Sequence, residues 1–475
     1  MPTTANALQK DLRGIYNGYF AKFDSNGVFI YGTYIGGSGF NKLYDLKIDN
    51  EGYIYAVGLT DAVFDFPITQ NALQKNYGGG EDDVFLCKIK PDGSDFVFST
   101  FIGGKSYDEA YSLTLDSTNA IYITGLTASD NFPTTANAFQ TFYKGYEDGF
   151  VMKISSDGKY IYYSTYIGGR SNDTFDIITV NLSGEAFTGG RTNSIDFPVT
   201  PGTFRTLQSG DSLHHIVDYI ITKLSNDGSK LLLSTFLSPE EDMFAAPRKI
   251  QLVLNKQIMF AGNTASNKLP VTLGAFQKII SGENDGFVMI LDSTFSNMLY
   301  CSYLGGSGGK YEMLGSSVVT NDGKLIIAGQ TESPDFPITP DAIKKSLTGL
   351  TDIFLSIFDI RNILDGTRDE TQEVFDLSLK QNFPNPFSSS TMIKIEISRS
   401  YNRSFIQGAH LKVFDVLGRE VLDLSNELER SLIDGAFVIK LASFQFPKSG
   451  IYFYQLTFYD SHGAQKLTKK MNVLR

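Results

Sequence analysis

Short stretches of alternating apolar and polar residues, rich in β-branched and aromatic side chains, recur along the first three quarters of the chain. The clearest copy spans residues 108–168 and contains four such stretches, at residues 110–115, 121–125, 150–154 and 160–166. A period of two residues places successive side chains on opposite faces of a strand, so each stretch predicts a short β-strand. Polar turn sequences, such as Ser156-Asp157-Gly158, separate paired strands and can close hairpins. The pattern predicts units of four antiparallel strands.

Two sequence marks repeat with the same phase. The triplet Pro-x-Thr begins at Pro2, Pro67, Pro133, Pro198, Pro270 and Pro337. The triplet Gly-x-Thr begins at Gly58, Gly125, Gly190, Gly262 and Gly329. Consecutive copies of either mark lie 65 to 72 residues apart, so this part of the chain consists of repeats of about 65 residues.

Four-stranded units of this length predict an all-β protein built as a β-propeller, because such a sheet cannot bury both faces alone and must pack against neighbours around an axis. A linear β-solenoid would need turns of roughly 20 to 30 residues and longer parallel ladders, which the hairpin turns argue against. We expect five blades, with the strand near residues 29–35 completing the last blade, whose other strands lie between residues 314 and 359. A six-bladed ring stays open as the alternative.

Four pieces of the repeat match a known family pattern. The family pieces Asp-x-Phe-Val-x-Lys, Tyr-Ser-Thr-Tyr-Leu-Gly-Gly, Tyr-Val-Thr-Gly-x-Thr and Asp-Phe-Pro-Thr correspond to residues 148–153, 163–169, 122–127 and 131–134. The repeats therefore resemble the SBBP family of bacterial β-propeller repeats over about three quarters of the chain. The resemblance implies a propeller in an extracellular or envelope setting and carries no established chemistry.

The balance of charge changes late in the chain. Residues 1–376 carry a formal charge of −16 and residues 377–475 one of +5, which together give −11. Residues 362–376 are polar and acidic, and no repeat mark follows Pro337. We therefore predict a propeller at residues 1–361, a linker at 362–376 and a separate domain at 377–475. An acidic propeller would repel phosphate backbones, so nucleic acid is excluded as a partner.

The last hundred residues have a strand pattern of their own. Alternation predicts strands at residues 391–397, 411–414, 437–441 and 451–458, and hence a small Ig-like β-sandwich. The segment before them contains Pro384 and Pro386, which prevent regular ladder bonding and favour an extended conformation.

Several parts of this tail match a second family. Residues 381–387 read Gln-Asn-Phe-Pro-Asn-Pro-Phe, residues 413–421 and 449–454 match the middle elements, and residues 469–471 match the ending. The tail resembles the type A C-terminal sorting domain of the type IX secretion system. The resemblance implies a sorting signal at Asn382, Pro384, Asn385, Pro386, Gly418, Gly450, Lys469 and Lys470. It also implies the secretion machinery as a partner and export across an outer membrane in the Bacteroidetes, with cleavage and attachment to lipopolysaccharide as possible later steps.

The ends of the chain and its two cysteines bear on where the protein resides. No run approaches the ~18 apolar residues of a membrane helix, and the first residues lack the segments of a signal peptide. We expect no transmembrane segment, a secreted or surface-attached protein, and an N-terminus that is incomplete or already processed. Cys87 and Cys301 fall on different strand types of distant repeats, so we expect packed thiols rather than a disulfide framework.

Few residues offer catalytic or metal chemistry. His214 and His215 are neighbours on a connector and would point in opposite directions, so an exposed loop is favoured over a metal site. Acidic clusters at residues 81–83, 147–148 and 284–285 could supply oxygen ligands for calcium, but they lack EF-hand spacing and suit turns. We predict no catalytic, cofactor-binding or metal residues, with calcium as the alternative.

The sequence therefore favours a non-enzymatic interaction or scaffold protein that binds an unknown extracellular protein or glycan. Five-bladed propellers also serve polysaccharide hydrolases, so a hydrolase with carboxylates on the axial face is a second hypothesis. Two inward carboxylates roughly 5 to 10 Å apart would favour it. A structural spacer of a larger adhesin is the third hypothesis.

Overall fold

The computed structural model describes most of the chain, namely residues 1–208, 217–237, 247–253, 257–272, 274–308, 312–320, 322–361, 377–397, 410–425, 432–433, 436–460 and 463–474. Their regular structure is almost entirely β, apart from a short 3₁₀ helix at Ser443–Gln445. The chain divides into two compact units, Met1–Gly366 and Thr367–Arg475. The linker predicted at 362–376 lies outside the described residues, as do His214 and His215.

The first unit is a series of antiparallel sheets whose strand order follows the chain. It begins with a two-stranded sheet, β1 (Gly18–Phe23) and β2 (Phe29–Ile35). Four four-stranded sheets follow: β3 (Asn41–Ile48), β4 (Ile54–Thr60), β5 (Asp83–Ile89) and β6 (Phe96–Ile102); β7 (Asp108–Leu115), β8 (Ile121–Thr127), β9 (Asp148–Ile154) and β10 (Ile161–Ile167); β11 (Asp173–Val180), β12 (Ala186–Thr192), β13 (Asp218–Leu224) and β14 (Leu231–Phe236); β15 (Pro247–Val253), β16 (Gln257–Thr264), β17 (Asp285–Leu291) and β18 (Met298–Leu304). A three-stranded sheet, β19 (Met313–Val319), β20 (Lys324–Thr331) and β21 (Asp352–Asp359), ends the series.

The apolar core of this unit lies between consecutive sheets. On β9, Phe150 and Met152 join a cluster with the preceding sheet, whereas Val151 joins a cluster with the next one. Five such clusters link the six sheets in chain order. Each of the four sheets between the first and the last thus buries both faces against its neighbours, which is the packing expected of propeller blades and confirms the predicted fold.

The first strands of successive blades lie innermost, because β3, β7, β11, β15 and β19 contact one another in turn. Lys249 on β15 also lies close enough to Lys47 on β3 for that charge, after burial, to lower the pKa of Lys249. Since two whole blades separate β3 from β15 in the chain, the series of blades curves round an axis.

One expectation about the ring was wrong. The strand Phe29–Ile35 does not complete the last blade, because β2 pairs with β1 through residues such as Tyr19 and Tyr34. Within the described residues, β21 pairs with β20 alone. Among the residues that the structure describes, the propeller therefore contains six sheets, of which the first has two strands and the last has three.

The second unit is a β-sandwich. One sheet contains β22 (Leu377–Leu379), β23 (Ser390–Ile397), β27 (Ala436–Ala442) and β26 (Leu432–Ile433). The other contains β25 (Glu420–Asp423), β24 (His410–Asp415), β28 (Gly450–Asp460) and β29 (Gly463–Val473). Ile393 and Leu441 of the first sheet and Val413, Tyr454 and Met471 of the second share one buried cluster. The two sheets thus enclose a single core, as predicted.

Candidate functional site

The segment at residues 381–387 is held in place by a buried asparagine. Asn382 is fully enclosed, and its backbone N–H donates to Tyr454 Oη on β28 at 2.7 Å. Its side-chain amide donates to Thr391 Oγ1 at 2.9 Å and to the Pro384 carbonyl at 3.2 Å. The bonds before Pro384 and Pro386 are both cis. A polar network thus fixes a segment whose prolines exclude it from regular pairing.

The same segment is attached to the last strand, β29. Asn385 Oδ1 accepts from the backbone N–H of Asn472 at 2.8 Å, and its amide donates to the Lys470 carbonyl at 3.4 Å. Phe387 exchanges backbone hydrogen bonds with Asn472 and Leu474, at 3.1 and 2.8 Å. Residues that lie more than 80 positions apart in the sequence are therefore joined by hydrogen bonds.

The other predicted signal residues are distributed around this contact. Lys469 and Lys470 are exposed on β29, which is an edge strand, and pair with Tyr454 and Phe453. Gly450 begins β28 opposite Val473 on β29. Gly418 lies elsewhere, in the turn between β24 and β25, where its φ of 76° suits glycine. The structure thus brings the Asn-Pro segment and the terminal lysines together and leaves Gly418 apart.

Two contributors to this site were not predicted. Asn472 supplies the backbone groups that receive Asn385 and Phe387, and Thr391 closes the network around Asn382 by donating to the Pro384 carbonyl at 2.7 Å. Neither residue could be identified from the sequence. Every residue type other than proline has the backbone groups that Asn472 uses, and a hydroxyl residue at the start of a strand is not distinctive.

A second polar cluster recurs where the fourth strand of one blade leads to the first strand of the next. Asp108 Oδ2 accepts from the Gly104 N–H at 2.7 Å and from Ser129 Oγ at 2.9 Å. A Cβ on Gly103 would lie 2.4 Å from Asp83 Oδ1 and 3.0 Å from Asp108 Oδ2. The Gly-Gly sequence therefore makes room for two buried carboxylates. We call this group, Asp83, Gly103, Gly104, Asp108 and Ser129, a blade joint.

The blade joint is repeated between the next two blades, and its environment raises the pKa of its aspartic acids. Asp148, Gly168 and Asp173 take the places of Asp83, Gly103 and Asp108. Burial, followed by the neighbouring Asp108 charge, raises the pKa of Asp83 to about 7. Burial likewise raises the pKa of Asp173 to about 7. These carboxyl groups are parts of the interface between blades.

The acidic clusters named as calcium candidates supply these joints. Asp148 accepts backbone N–H groups of Lys144 and Gly145 at 3.0 and 3.2 Å, and Asp285 accepts those of Ser281 and Gly282 at 2.8 and 3.2 Å. Within the described ranges, no group of three or more His, Cys, Asp or Glu side chains is arranged to hold a metal ion. Calcium binding stays an untested alternative. Both cysteines are buried free thiols, as predicted.

The innermost strands carry a group of tyrosines and acids. Tyr44 Oη donates to Glu109 Oε2 at 3.3 Å, and the rings of Tyr44 and Tyr111 lie 5.0 Å apart, edge to face. Burial, followed by the charge of Glu109, raises the pKa of Asp82 to about 6. Asp82 and Glu109 thus lie close enough for their charges to interact, and Glu109 lies beside aromatic rings.

Several solved structures are distantly similar to this chain. PorZ of Porphyromonas gingivalis, described as an essential surface component of the type IX secretion system, is 12% identical, with 91% of this chain and 45% of PorZ covered and a TM-score of 0.27. This chain therefore spans less than half of PorZ. A protein of unknown function from Dyadobacter fermentans is 9% identical over 75% of this chain and 91% of its own, with a TM-score of 0.35. A thermostable family-43 glycoside hydrolase is 11% identical over 66% and 88%, with a TM-score of 0.29.

A search of curated proteins finds no match. Among the described residues, no helix is long and apolar enough to cross a membrane. The family model described as the SBBP beta-propeller repeat matches residues 97–133. That segment runs from β6 across the joint at Gly103 and Gly104 and through β8 to Pro133. The segment that is similar to this family model therefore includes most of a blade joint.

Proposed function

We propose that the chain is cargo of the type IX secretion system and that residues 377–475 are its sorting domain. The observation that carries this proposal is the attachment of the Asn-Pro segment to β29 through Asn385 and Phe387. A signal whose two halves lie at opposite ends of a domain can be read by one receptor only if folding brings them together. The exposed Lys469 and Lys470 then present positive charge next to that segment.

The proposal is tested with the full chain, preceded by a cleavable secretory signal and expressed in a Bacteroidetes host with and without a functional type IX system. Replacing both Lys469 and Lys470 by Ala should greatly reduce the amount of protein that external protease can reach. Lys440→Ala is the matched control, since Lys440 is an exposed lysine of the same unit on β27. Equal surface amounts for the double variant and the control would contradict the proposal, provided that both fold as judged by circular dichroism.

We further propose that the propeller is a non-enzymatic interaction module for an extracellular protein or glycan, secreted or attached to the outer-membrane surface. Support comes from the use of its recurrent acids in blade joints, where each buried carboxylate accepts backbone or hydroxyl donors. A glycan and surface-protein binding array with the full chain, run beside hydrolysis of the same polysaccharides, tests this role. Binding without turnover is the expected result.

One observation favours the hydrolase as a second candidate. Asp82, with its raised pKa, would be the general acid, and Glu109, which accepts a hydrogen bond from Tyr44, would be the second carboxyl group of the pair. Hydrolysis near pH 6 that is lost in Asp82→Asn and retained in Asp130→Asn would establish this activity. Asp130 is an exposed connector residue and serves as the control.

A further inference from the structure

A groove lies between the blade β7–β10 and the blade β11–β14, beside their hairpin turns. Its volume is about 660 Å³. It is lined by Thr118 and Ala120 of the turn between β7 and β8, Lys153 of β9, Tyr162 of β10 and residues 225–227 of the turn between β13 and β14. We call it the turn groove. Pockets of this volume commonly hold small ligands.

Lys153 in the turn groove is a repeated structural residue. Its Nζ lies 3.6 Å from a carboxylate oxygen of Asp116 and 4.9 Å from the ring centroid of Tyr122, both in its own blade. The corresponding lysines of the neighbouring blades, Lys88 and Lys223, have the same kinds of acidic and aromatic partners. Lys153 therefore supports its blade and does not by itself indicate a ligand.

Tyr162, in contrast, is specific to this blade. It is the residue at which the pairing of β9 with β10 is interrupted, between Ile161 and Tyr163. The residues at the corresponding interruption in the other sheets are aliphatic, namely Ile30, Val97, Leu232 and Leu299. Tyr162 is 59% exposed, and Lys153 Nζ lies 5.8 Å from its ring centroid. This blade therefore presents an accessible aromatic ring where the others present an aliphatic side chain.

A buried hydroxyl also belongs to the turn groove. Tyr163 lines the groove and is 1% exposed, and its Oη has no hydrogen-bond partner among the residues that the structure describes. A Cβ on Gly228 would lie 2.2 Å from Tyr163 Cδ2, so the ring packs directly against this glycine. Phe98 packs against Gly158 in the same way in the preceding blade. Packing therefore needs the ring but not the hydroxyl, and a ligand that supplies the missing partner would be favoured.

The remaining lining of the turn groove is polar and electrically balanced. Thr118 and Ser225 carry hydroxyl groups, and Asn226 Oδ1 accepts from Lys153 Nζ at 2.7 Å, a contact that joins the two blades. The two charged residues of the lining, Lys153 and Asp227, are opposite in sign. An anionic or cationic ligand would therefore gain little from charge, whereas a neutral ligand with hydroxyl groups fits the lining.

We infer that the turn groove binds a neutral saccharide, with one sugar ring on Tyr162 and hydroxyl groups directed toward Thr118 and Asn226. A sugar ring presents C–H groups on its faces and hydroxyl groups at its edge, so it matches an exposed aromatic ring that is flanked by hydroxyl and amide groups. This inference rests on the proposed interaction role of the propeller and gives that role a place and a ligand class.

The test is binding of the full chain to immobilised neutral oligosaccharides of glucose, mannose, galactose and xylose, with uronic acid oligomers and surface proteins on the same array. The wild type is expected to bind at least one neutral oligosaccharide. Tyr162→Leu should raise the Kd for that oligosaccharide about tenfold or more, because aromatic anchors dominate such contacts. Its fold should persist, since Leu232 takes the same position in the next blade. Tyr160→Leu is the matched control, because Tyr160 is 65% exposed just before β10 and is not part of the groove lining.

Tyr163→Phe is a second variant should Tyr162→Leu fail to fold. It removes the hydroxyl and keeps the ring, so it should weaken the same binding severalfold. Wild-type affinity in a folded Tyr162→Leu, or in Tyr163→Phe where Tyr162→Leu does not fold, would overturn the inference and leave the interaction role intact. So would a wild type that binds only uronic acid oligomers or surface proteins. A wild type that binds nothing on the array would refute both the inference and the interaction role.

Discussion

The glycine of the Gly-x-Thr mark occupies a position that no larger residue can take without moving a strand. On β7 the pairing with β8 shifts between Ala110 and Ser112, which is a bulge opposite Gly125. A Cβ on Gly125 would lie 1.8 Å from the Glu109 carbonyl oxygen, a backbone atom. The innermost strand would have to retreat by roughly 1 Å to restore an acceptable contact. We expect Gly125→Ala to lower the free energy of unfolding by about 3 kcal/mol, the upper part of the usual range for overpacking.

Guanidinium unfolding followed by near-ultraviolet circular dichroism measures this loss as a lower midpoint at unchanged slope. Gly274→Ala is the control, since a Cβ there meets no atom within 4 Å, and its effect should stay within about 0.5 kcal/mol. The alanine is expected to affect the third sheet, β7–β10, first, because Gly125 lies on its second strand, β8. Equal midpoints for the two variants would refute the steric account of the Gly-x-Thr mark.

Three further predictions concern the joints, the sorting segment and the thiols. Asp83 and Asp173 bind protons more tightly in the folded than in the unfolded state, so stability should fall as pH rises from about 4 to about 7; a denaturation midpoint that is higher at pH 8 than at pH 5 would contradict this. Replacing Asn382 by Leu leaves the Thr391 and Pro384 contacts unmade, and the second unit should lose on the order of 1 to 3 kcal/mol, measured by its thermal unfolding. Burial raises the pKa of Cys87, and that of Cys301 to about 12, so neither thiol should react with Ellman's reagent until the chain is denatured.

The Gly-x-Thr and Pro-x-Thr marks predict the blades, but they do not predict the contacts for which their glycine and threonine residues are needed. Alternation around Gly125 identifies a strand, yet the bulge on β7 has no alternation signal, so the steric reason for the glycine is visible only in three dimensions. The role of the Pro-x-Thr mark is likewise visible only in the structure. The Thr135 N–H donates to the Ser164 carbonyl at 3.0 Å, and Thr69 makes the same bond to Ser99 at 3.1 Å. These partners lie about 30 residues away, which local periodicity cannot identify.

The pairing of β2 illustrates a second limit. The apolar pattern of β2 would allow it to pair with the third strand of any blade. The sequence alone therefore does not decide whether β2 pairs with β1 or with β21. Chain entropy does favour β1, because the turn between β1 and β2 is only a few residues long, whereas pairing with β21 would close a loop of more than 300 residues. A prediction based on ring closure overlooks this difference.

The sorting segment was predicted as a set of residues and became a site only in the fold. Asn382 lies two residues before Pro384, and Asn385 lies between Pro384 and Pro386, but this pattern does not say which side chain is buried. The structure buries Asn382 in the sandwich and directs Asn385 to β29. Family resemblance supplied the residues, whereas hydrogen-bond geometry distinguishes a structural asparagine from one that joins the two ends of the domain.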